Sequence, residues 1–251
     1  RIYLLAAHTE TIADSMCALE VAEYVLRRCA ARGCPFTQVE EATVRLGTLL
    51  SDIGKTGPLR ATPAQQRLIV DMFSIERVPS GQISVNEFLH HYFPNDADAR
   101  VLAFESLGYA RGLTIREFWN LHVSWTLELL RERAPFPEVV PAAASHHLLE
   151  QNNPESIVMA DGSYSASFGT NTKFDRAEKL IVVLDKYDAA RRRSRLDHDA
   201  AMAWLRTLVG KNPRFAQDKE FAELLEVVHE VITTEPVAWR SPAGQGFSAK
   251  Q

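Results

Sequence analysis

Four helix-start signals in the first half of the chain constrain its fold more than any other feature. Each is a capping box, in which a Ser or Thr is followed three residues later by a Glu or Gln: Thr37 with Glu40, Thr62 with Gln65, Ser84 with Glu87, and Thr114 with Glu117. The two side chains of a box bond to backbone N–H groups that have no partner within the helix. The boxes therefore predict four successive helices, and Pro63 reinforces the second of them.

Apolar periodicity predicts helices in the remaining segments. A three- and four-residue spacing from about 8 to 32 indicates a helix, and Gly33 is suited to end it. Further helices are expected from about Pro137 through His147, from about Phe174 through Asp185, and over roughly 199–209 and 218–233.

Two stretches have the composition of irregular chain. Residues 151–172 are rich in Asn, Ser and Gly and predict a long loop. Residues 236–251 are expected to form a loose C-terminal tail. The sequence as a whole predicts an all-α fold, a compact multi-helix bundle.

Net charge and cysteine content restrict the kinds of partner and the cellular compartment that we expect for this chain. A formal net charge of −4 and a pI near 6.1 give no reason to expect a nucleic-acid polymer or an anionic membrane. No apolar run approaches the roughly 18 residues of a membrane span, and no signal peptide is visible. The three cysteines form no C-x-x-C pair, which favours a reducing compartment, the cytoplasm. Because the chain begins with Arg, we expect a fragment or a processed protein.

Two local patterns allow alternative interpretations. The basic run Arg191-Arg192-Arg193-Ser194-Arg195 indicates a solvated helix end, with phosphate contact as the alternative. Residues 80–88 resemble the second half of an EF-hand loop, but Glu76 and Val78 do not suit loop positions 1 and 3. A helix–turn–helix connection with a capping box is the preferred interpretation, and calcium binding is the alternative.

Potential metal ligands occur along the whole chain, and each is expected on or at the end of a helix. They are His8, Asp52, His122, His146, His147 and Asp185. A His and Asp set suits Fe, Mn, Zn or Ni, and such ions can promote phosphoester hydrolysis. The other histidines at positions 90, 91, 198 and 229 match no motif and are predicted not to bind metal.

Five motifs in order resemble the HD superfamily of metal-dependent phosphohydrolases, and more closely its HD-GYP branch, which cleaves cyclic di-GMP. They are His8, Leu49-Leu50-Ser51-Asp52-Ile53-Gly54-Lys55, Leu113-Thr114-Ile115-Arg116-Glu117 followed by His122, Phe136-Pro137 followed by His146-His147, and Leu184-Asp185-Lys186-Tyr187-Asp188-Ala189. The resemblance spans residues 1–235, with 56–110 as a helical insertion that is longer than usual for the family.

The resemblance implies an HD-type bundle with one or two divalent ions per chain. Asp52 would bridge two ions, one bound also by His8 and Asp185. The other ion would be bound by His122, His146 and His147. The implied catalytic residues are Asp52 and Lys55, the lysine neutralising a phosphate.

Structural alternatives exist for Lys55 and for the implied ligands other than Asp52. Adjacent histidines on an ideal helix point about 100° apart, so His146 and His147 share a site only along the helix flank or where the helix is distorted. Otherwise one is a core and one a surface residue. His122 could be a buried structural histidine, and Asp185 could pair with a cation. His8 and Lys55 could simply lie at the surface.

Three departures from the family pattern weaken the catalytic prediction. Ser51 replaces the histidine of the HD pair, and a hydroxyl is a poor ligand beside imidazole or carboxylate. Leu4 stands where the branch carries a Glu, which argues against a third metal. The Gly-Tyr-Pro loop expected after His147 is missing.

The sequence therefore predicts a signalling domain with metal-dependent phosphodiesterase chemistry that is weak or lost. Its ligand would be a cyclic dinucleotide, or another phosphoester. The alternative is a catalytically inactive module that binds a nucleotide or a signalling protein partner. A purely structural helical domain is the third hypothesis.

Overall fold

The computed structural model describes residues 1–75, 77–131, 138–150, 176–212 and 215–237. Eleven α-helices lie in these ranges: α1 (Ile2–His8), α2 (Thr11–Ala31), α3 (Gln38–Leu50), α4 (Pro63–Ser74), α5 (Val85–Tyr92), α6 (Ala97–Glu105), α7 (Ile115–Leu130), α8 (Val139–Ala144), α9 (Arg176–Arg192), α10 (His198–Lys211) and α11 (Lys219–Thr234). Two short 3₁₀ turns span Ile53–Thr56 and Leu148–Glu150. The described ranges hold no strand, and the all-α prediction is confirmed.

All four predicted capping boxes are formed. The Ser or Thr hydroxyl accepts a hydrogen bond from the backbone N–H three residues on, and the Glu or Gln side chain accepts one from the N–H of the cap. α10 and α11 begin with simpler aspartate caps, Asp197 and Asp218. Local sequence therefore determines where six of the helices begin.

Helix ends agree with several predictions and add one helix. α2 ends before Gly33, whose φ of +78° lies in the left-handed region that glycine tolerates. α9 ends at Arg192, which confirms a helix end in the basic run. α1 was not predicted. The predicted loop 151–172, the helix starts at Pro137 and Phe174, and residues 238–251 of the tail lie outside the described ranges. Val237, at the start of that tail, is buried.

Two apolar clusters divide the helices. The main cluster includes side chains of α2, α3, α8, α9, α10 and α11. The second joins α4, α5 and α6 to one face of α7 through Phe88, Phe104, Phe118 and Trp125, and we call it the α4–α7 lobe. The predicted insertion thus packs against α7, the helix that also carries His122.

Two helix–loop–helix units form the α4–α7 lobe. Their loops pair through an antiparallel bridge, where Val85 N–H donates to Leu113 O at 2.7 Å and Ile115 N–H to Ile83 O at 2.9 Å. The Glu87 carboxylate accepts from the backbone N–H and hydroxyl of Ser84. Glu87 is thus bonded to the helix cap Ser84, which supports the helix–turn–helix interpretation of residues 80–88. Glu76 lies outside the described ranges.

The 3₁₀ turn Ile53–Thr56 lies directly on α7. Gly54 N–H donates to Thr126 Oγ1 at 3.0 Å, and that hydroxyl donates to Ser51 O at 2.8 Å. A Cβ atom on Gly54 would lie 1.9 Å from His122 O and 2.6 Å from Thr126 N. Only glycine allows this approach, which holds the end of α3 beside His122.

Within the described ranges, none of the helices combines the length and the hydropathy that crossing a membrane requires.

We expect Gly54→Ala to lower the free energy of unfolding by at least about 3 kcal/mol, because its Cβ would displace backbone rather than a flexible side chain. Gly210→Ala in α10 is the matched control, since a Cβ atom added there would meet no atom within 4 Å. That change should be neutral or stabilise by up to about 1 kcal/mol. Urea unfolding measures both, and equal effects of the two substitutions would contradict the close-approach account.

Candidate metal centre

His122 and His146 face each other with their ring nitrogens. His122 Nδ1 donates to Trp119 O, and His146 Nδ1 donates to Ala143 O at 2.7 Å. A neutral imidazole that donates from Nδ1 carries its lone pair on Nε2. The two Nε2 atoms are 3.0 Å apart, so two lone pairs point into one place. Such an arrangement is stabilised by a cation, and backbone carbonyls commonly orient metal-binding histidines in this way.

His146 and His147 do not lie on a helix, which corrects the sequence prediction. α8 ends at Ala144, and residues 145–147 form a turn closed by Leu148 N–H donating to Ser145 O at 2.8 Å. The turn removes the 100° restriction that an ideal helix would impose on neighbouring side chains. Metal-binding atoms of His122, His146 and His147 all lie within 4.8 Å of one another.

Asp52 completes this group from the end of α3. Its Oδ1 is 3.4 Å from His122 Nε2 and 3.8 Å from His146 Nε2. Its Oδ2 accepts a hydrogen bond from Lys55 Nζ at 2.7 Å. Burial raises the pKa of Asp52, but the Lys55 ammonium group and the two imidazoles outweigh burial and hold the pKa well below its ordinary value.

The two facing histidines are buried and neutral. His122 is 5% exposed and His146 is 0% exposed. Burial, followed by the neighbouring His147, lowers the pKa of His122 well below its ordinary value and that of His146 to about 4. Near pH 7 both rings therefore retain the lone pair that a metal ion requires.

Asp185 lies near Asp52. Both carboxylates and the buried Ser51 line a small cavity of about 30 Å³, which we call the smaller cavity. Ser51 Oγ donates to Thr48 O at 3.3 Å, within its own helix. Asp185 Oδ2 is 3.0 Å from Lys186 Nζ. Burial raises the pKa of Asp185, whereas Lys186 and then His146 and His147 bring it below its ordinary value.

The structure places His8 apart from the three converging histidines. His8 Nε2 lies 2.7 Å from a guanidinium nitrogen of Arg67 and so accepts a hydrogen bond from it. Its ligation of a metal with Asp185 stays a prediction.

A second cavity, the larger cavity, opens beside the histidines. It has a volume of about 1040 Å³ and reaches Lys55, His122 and His147 on one side, with residues of the α4–α7 lobe on the other. Its basic lining includes His8, Lys55, Arg77, Arg116 and Arg193, whereas Glu10 is the one carboxylate among the described lining residues. Within the described part of the chain, none of these three guanidinium groups forms an ion pair. The larger cavity therefore presents positive charge to a ligand.

Sequence reasoning missed three residues of this region. Lys186 could have been noticed as a lysine inside an apolar helix segment directly after Asp185. Arg77 and Arg116 had no local signal, because only the packing of the α4–α7 lobe brings them to the larger cavity.

The residues present fit a divalent ion. Imidazole nitrogens with a carboxylate oxygen suit Zn, Fe, Mn and Ni. The facing lone pairs of His122 and His146 are the structural observation that calls for a cation. In comparisons with known proteins, no family model, no curated protein and no solved structure matched this chain.

We expect the metal-free protein to lose stability as the pH falls from 6.5 towards 4. Unfolding restores an ordinary imidazole pKa of 6.5 to His146, so the unfolded chain takes up a proton there before the folded chain does. The stabilisation is complete above pH 6.5 and declines by about 3 kcal/mol over this window.

Urea unfolding with a chelator present, repeated across this pH range, measures the decline. His146→Gln should reduce it, while His91→Gln, at an exposed position, should leave it unchanged. An identical pH dependence in wild type and His146→Gln would contradict the assignment.

Proposed function

We propose that this chain is an HD-GYP-like metal-binding domain of second-messenger signalling, which binds a phosphoester such as cyclic di-GMP and hydrolyses it weakly or not at all. The observation that carries the proposal is the meeting of the His122 and His146 lone pairs with the Asp52 carboxylate beside a basic cavity. The cytoplasmic location expected from the cysteines stays a prediction.

Asp52, His122 and His146 would hold the ion, and His147 lies close enough to add a further donor. The donor set suits Fe, Mn, Zn or Ni. An ion held there supplies Lewis-acid activation of a phosphoester and of water. The chain itself orients the donors. The hydrogen bonds from His122 and His146 to backbone carbonyls fix their rings, and the hydrogen bond from Lys55 fixes the Asp52 carboxylate.

The larger cavity supports a phosphoester as ligand. Guanidinium groups are suited to bind phosphate. Arg77, Arg116 and Arg193 line the larger cavity and form no ion pair among the described residues. Trp119 adds an aromatic face, with the guanidinium carbon of Arg116 5.4 Å from its ring centroid. A nucleotide offers both features, an anionic group for the arginines and a base for stacking.

The alternative function is an inactive module that binds the nucleotide or a signalling protein partner. The smaller cavity favours this alternative, because Ser51 directs its hydroxyl to its own helix and Asp185 already has an ammonium partner. Both features weaken the site that the resemblance assigns to a first metal ion.

We expect wild-type protein purified without chelators to contain divalent metal, and His122→Gln and Asp52→Asn to lose most of it, since each removes a converging donor. His91→Gln is the matched histidine control and should retain the metal. Elemental analysis of the folded proteins measures the content. Metal-free wild type would refute the proposal.

A turnover assay distinguishes a weakly active phosphodiesterase from an inactive binding module. We expect at most slow, metal-dependent hydrolysis of cyclic di-GMP or bis(p-nitrophenyl) phosphate, abolished by Asp52→Asn. Metal content without any turnover, but with binding of cyclic di-GMP, would establish the inactive module.

We expect Arg116→Gln to weaken cyclic di-GMP binding about tenfold, which corresponds to roughly 1.4 kcal/mol for a charge-assisted hydrogen bond. Arg60→Gln is the control, because Arg60 is exposed and does not line the larger cavity. Isothermal titration calorimetry measures both. Equal affinities of the two variants would remove Arg116 from the ligand site.

A further inference from the structure

Lys186 is a buried lysine at the metal centre. It follows Asp185 in α9 and is 1% exposed. Its Nζ lies 3.0 Å from Asp185 Oδ2 and 2.9 Å from His147 Nδ1. One ammonium group thus contacts two residues that the family resemblance assigns to two different metal ions.

The contact determines the tautomer of His147. An ammonium group has N–H donors and no lone pair, so His147 Nδ1 must accept the hydrogen bond. A neutral imidazole has only one accepting nitrogen, and His147 therefore carries its proton on Nε2. His122 and His146 have the opposite tautomer, because their Nδ1 atoms donate to backbone carbonyls.

This arrangement separates the converging residues into two groups. The lone pairs of His122 Nε2 and His146 Nε2, with Asp52 Oδ1, remain directed at one another. Two histidines and one carboxylate form a known mononuclear donor set that leaves positions open for other ligands. His147 and Asp185 are instead bonded to Lys186. A second divalent ion bound by Asp185 would therefore meet a positive charge that is already present.

We propose that the Lys186 ammonium group takes the place of a second metal ion, so that the chain binds one divalent ion, through His122, His146 and Asp52. The inference rests on the proposed function, because it presupposes metal binding at this centre. It also removes His147 from the set of metal ligands, because the accepting nitrogen of its ring is bonded to Lys186.

The number of ions per chain tests the proposal most directly. Ser51→His restores the ligand expected in the smaller cavity and gives a second ion its best opportunity. After loading with Mn²⁺ and gel filtration, elemental analysis should find one ion per chain in wild type and in Ser51→His. It should find two in Ser51→His combined with Lys186→Met, whose paired ions would also give a spin-coupled electron paramagnetic resonance spectrum.

Lys179→Met in the Ser51→His background is the matched control. Lys179 is another buried lysine of α9, but it pairs with Asp218 and Glu220, away from the histidines. Its replacement removes a buried ammonium group from the same helix and should leave one ion per chain. Two ions in wild type or in Ser51→His, or one in the Lys186→Met combination, would overturn the inference while leaving the proposed function intact. Wild type without metal would instead refute the proposed function.

The tautomers provide a second test on the unmodified chain, independent of whether the variants fold. ¹⁵N-histidine NMR of the Zn²⁺-loaded protein should show His122 and His146 protonated on Nδ1, and His147 protonated on Nε2. A proton on His147 Nδ1 together with a zinc-bound Nε2 would show that Lys186 does not withhold this histidine from the metal.

Discussion

The close approach of Gly54 to α7 is the constraint on which the candidate metal centre depends. Because residue 54 has no Cβ, the 3₁₀ turn after α3 can lie against the backbone at His122. Thr126 holds this contact through two hydrogen bonds. Asp52 stands two residues before the glycine, so the contact that joins two backbones also brings a carboxylate to the histidines. A larger residue here would separate the parts of the site rather than only perturb the core.

α7 links the two apolar clusters and positions His122 between them. One face of the helix completes the core of the α4–α7 lobe, and another presents His122 to the main bundle. The lobe is therefore more than an insertion between two motifs, since its residues form one wall of the larger cavity. Arg77 and Arg116 reach this wall from the lobe, whereas His147 reaches the opposite side from the turn after α8. A ligand in the cavity would contact both parts of the molecule.

The charges around the centre explain why the group of Asp52, His122 and His146 differs from the pair Asp185 and His147. Asp52 and Asp185 are both partly buried carboxylates, and each has a lysine partner that lowers its pKa. Lys55 leaves Asp52 Oδ1 directed at two imidazole lone pairs, which is a cation-binding arrangement. Lys186 contacts both Asp185 and His147, so a positive charge is already present beside these two residues. The proposed single metal ion follows from this asymmetry.

The sequence by itself determined the helical architecture and the starts of its best-marked helices, because a capping box satisfies backbone groups only a few residues away. It also singled out His122, His146 and Asp52 as candidate metal ligands, and these three lie close together in the structure. Only the tertiary structure decided that residues 145–147 form a turn, that His8 contacts Arg67, and that Lys186 lies between two predicted ligands. These facts depend on packing between segments far apart in the chain, and local propensity carries no information about such contacts.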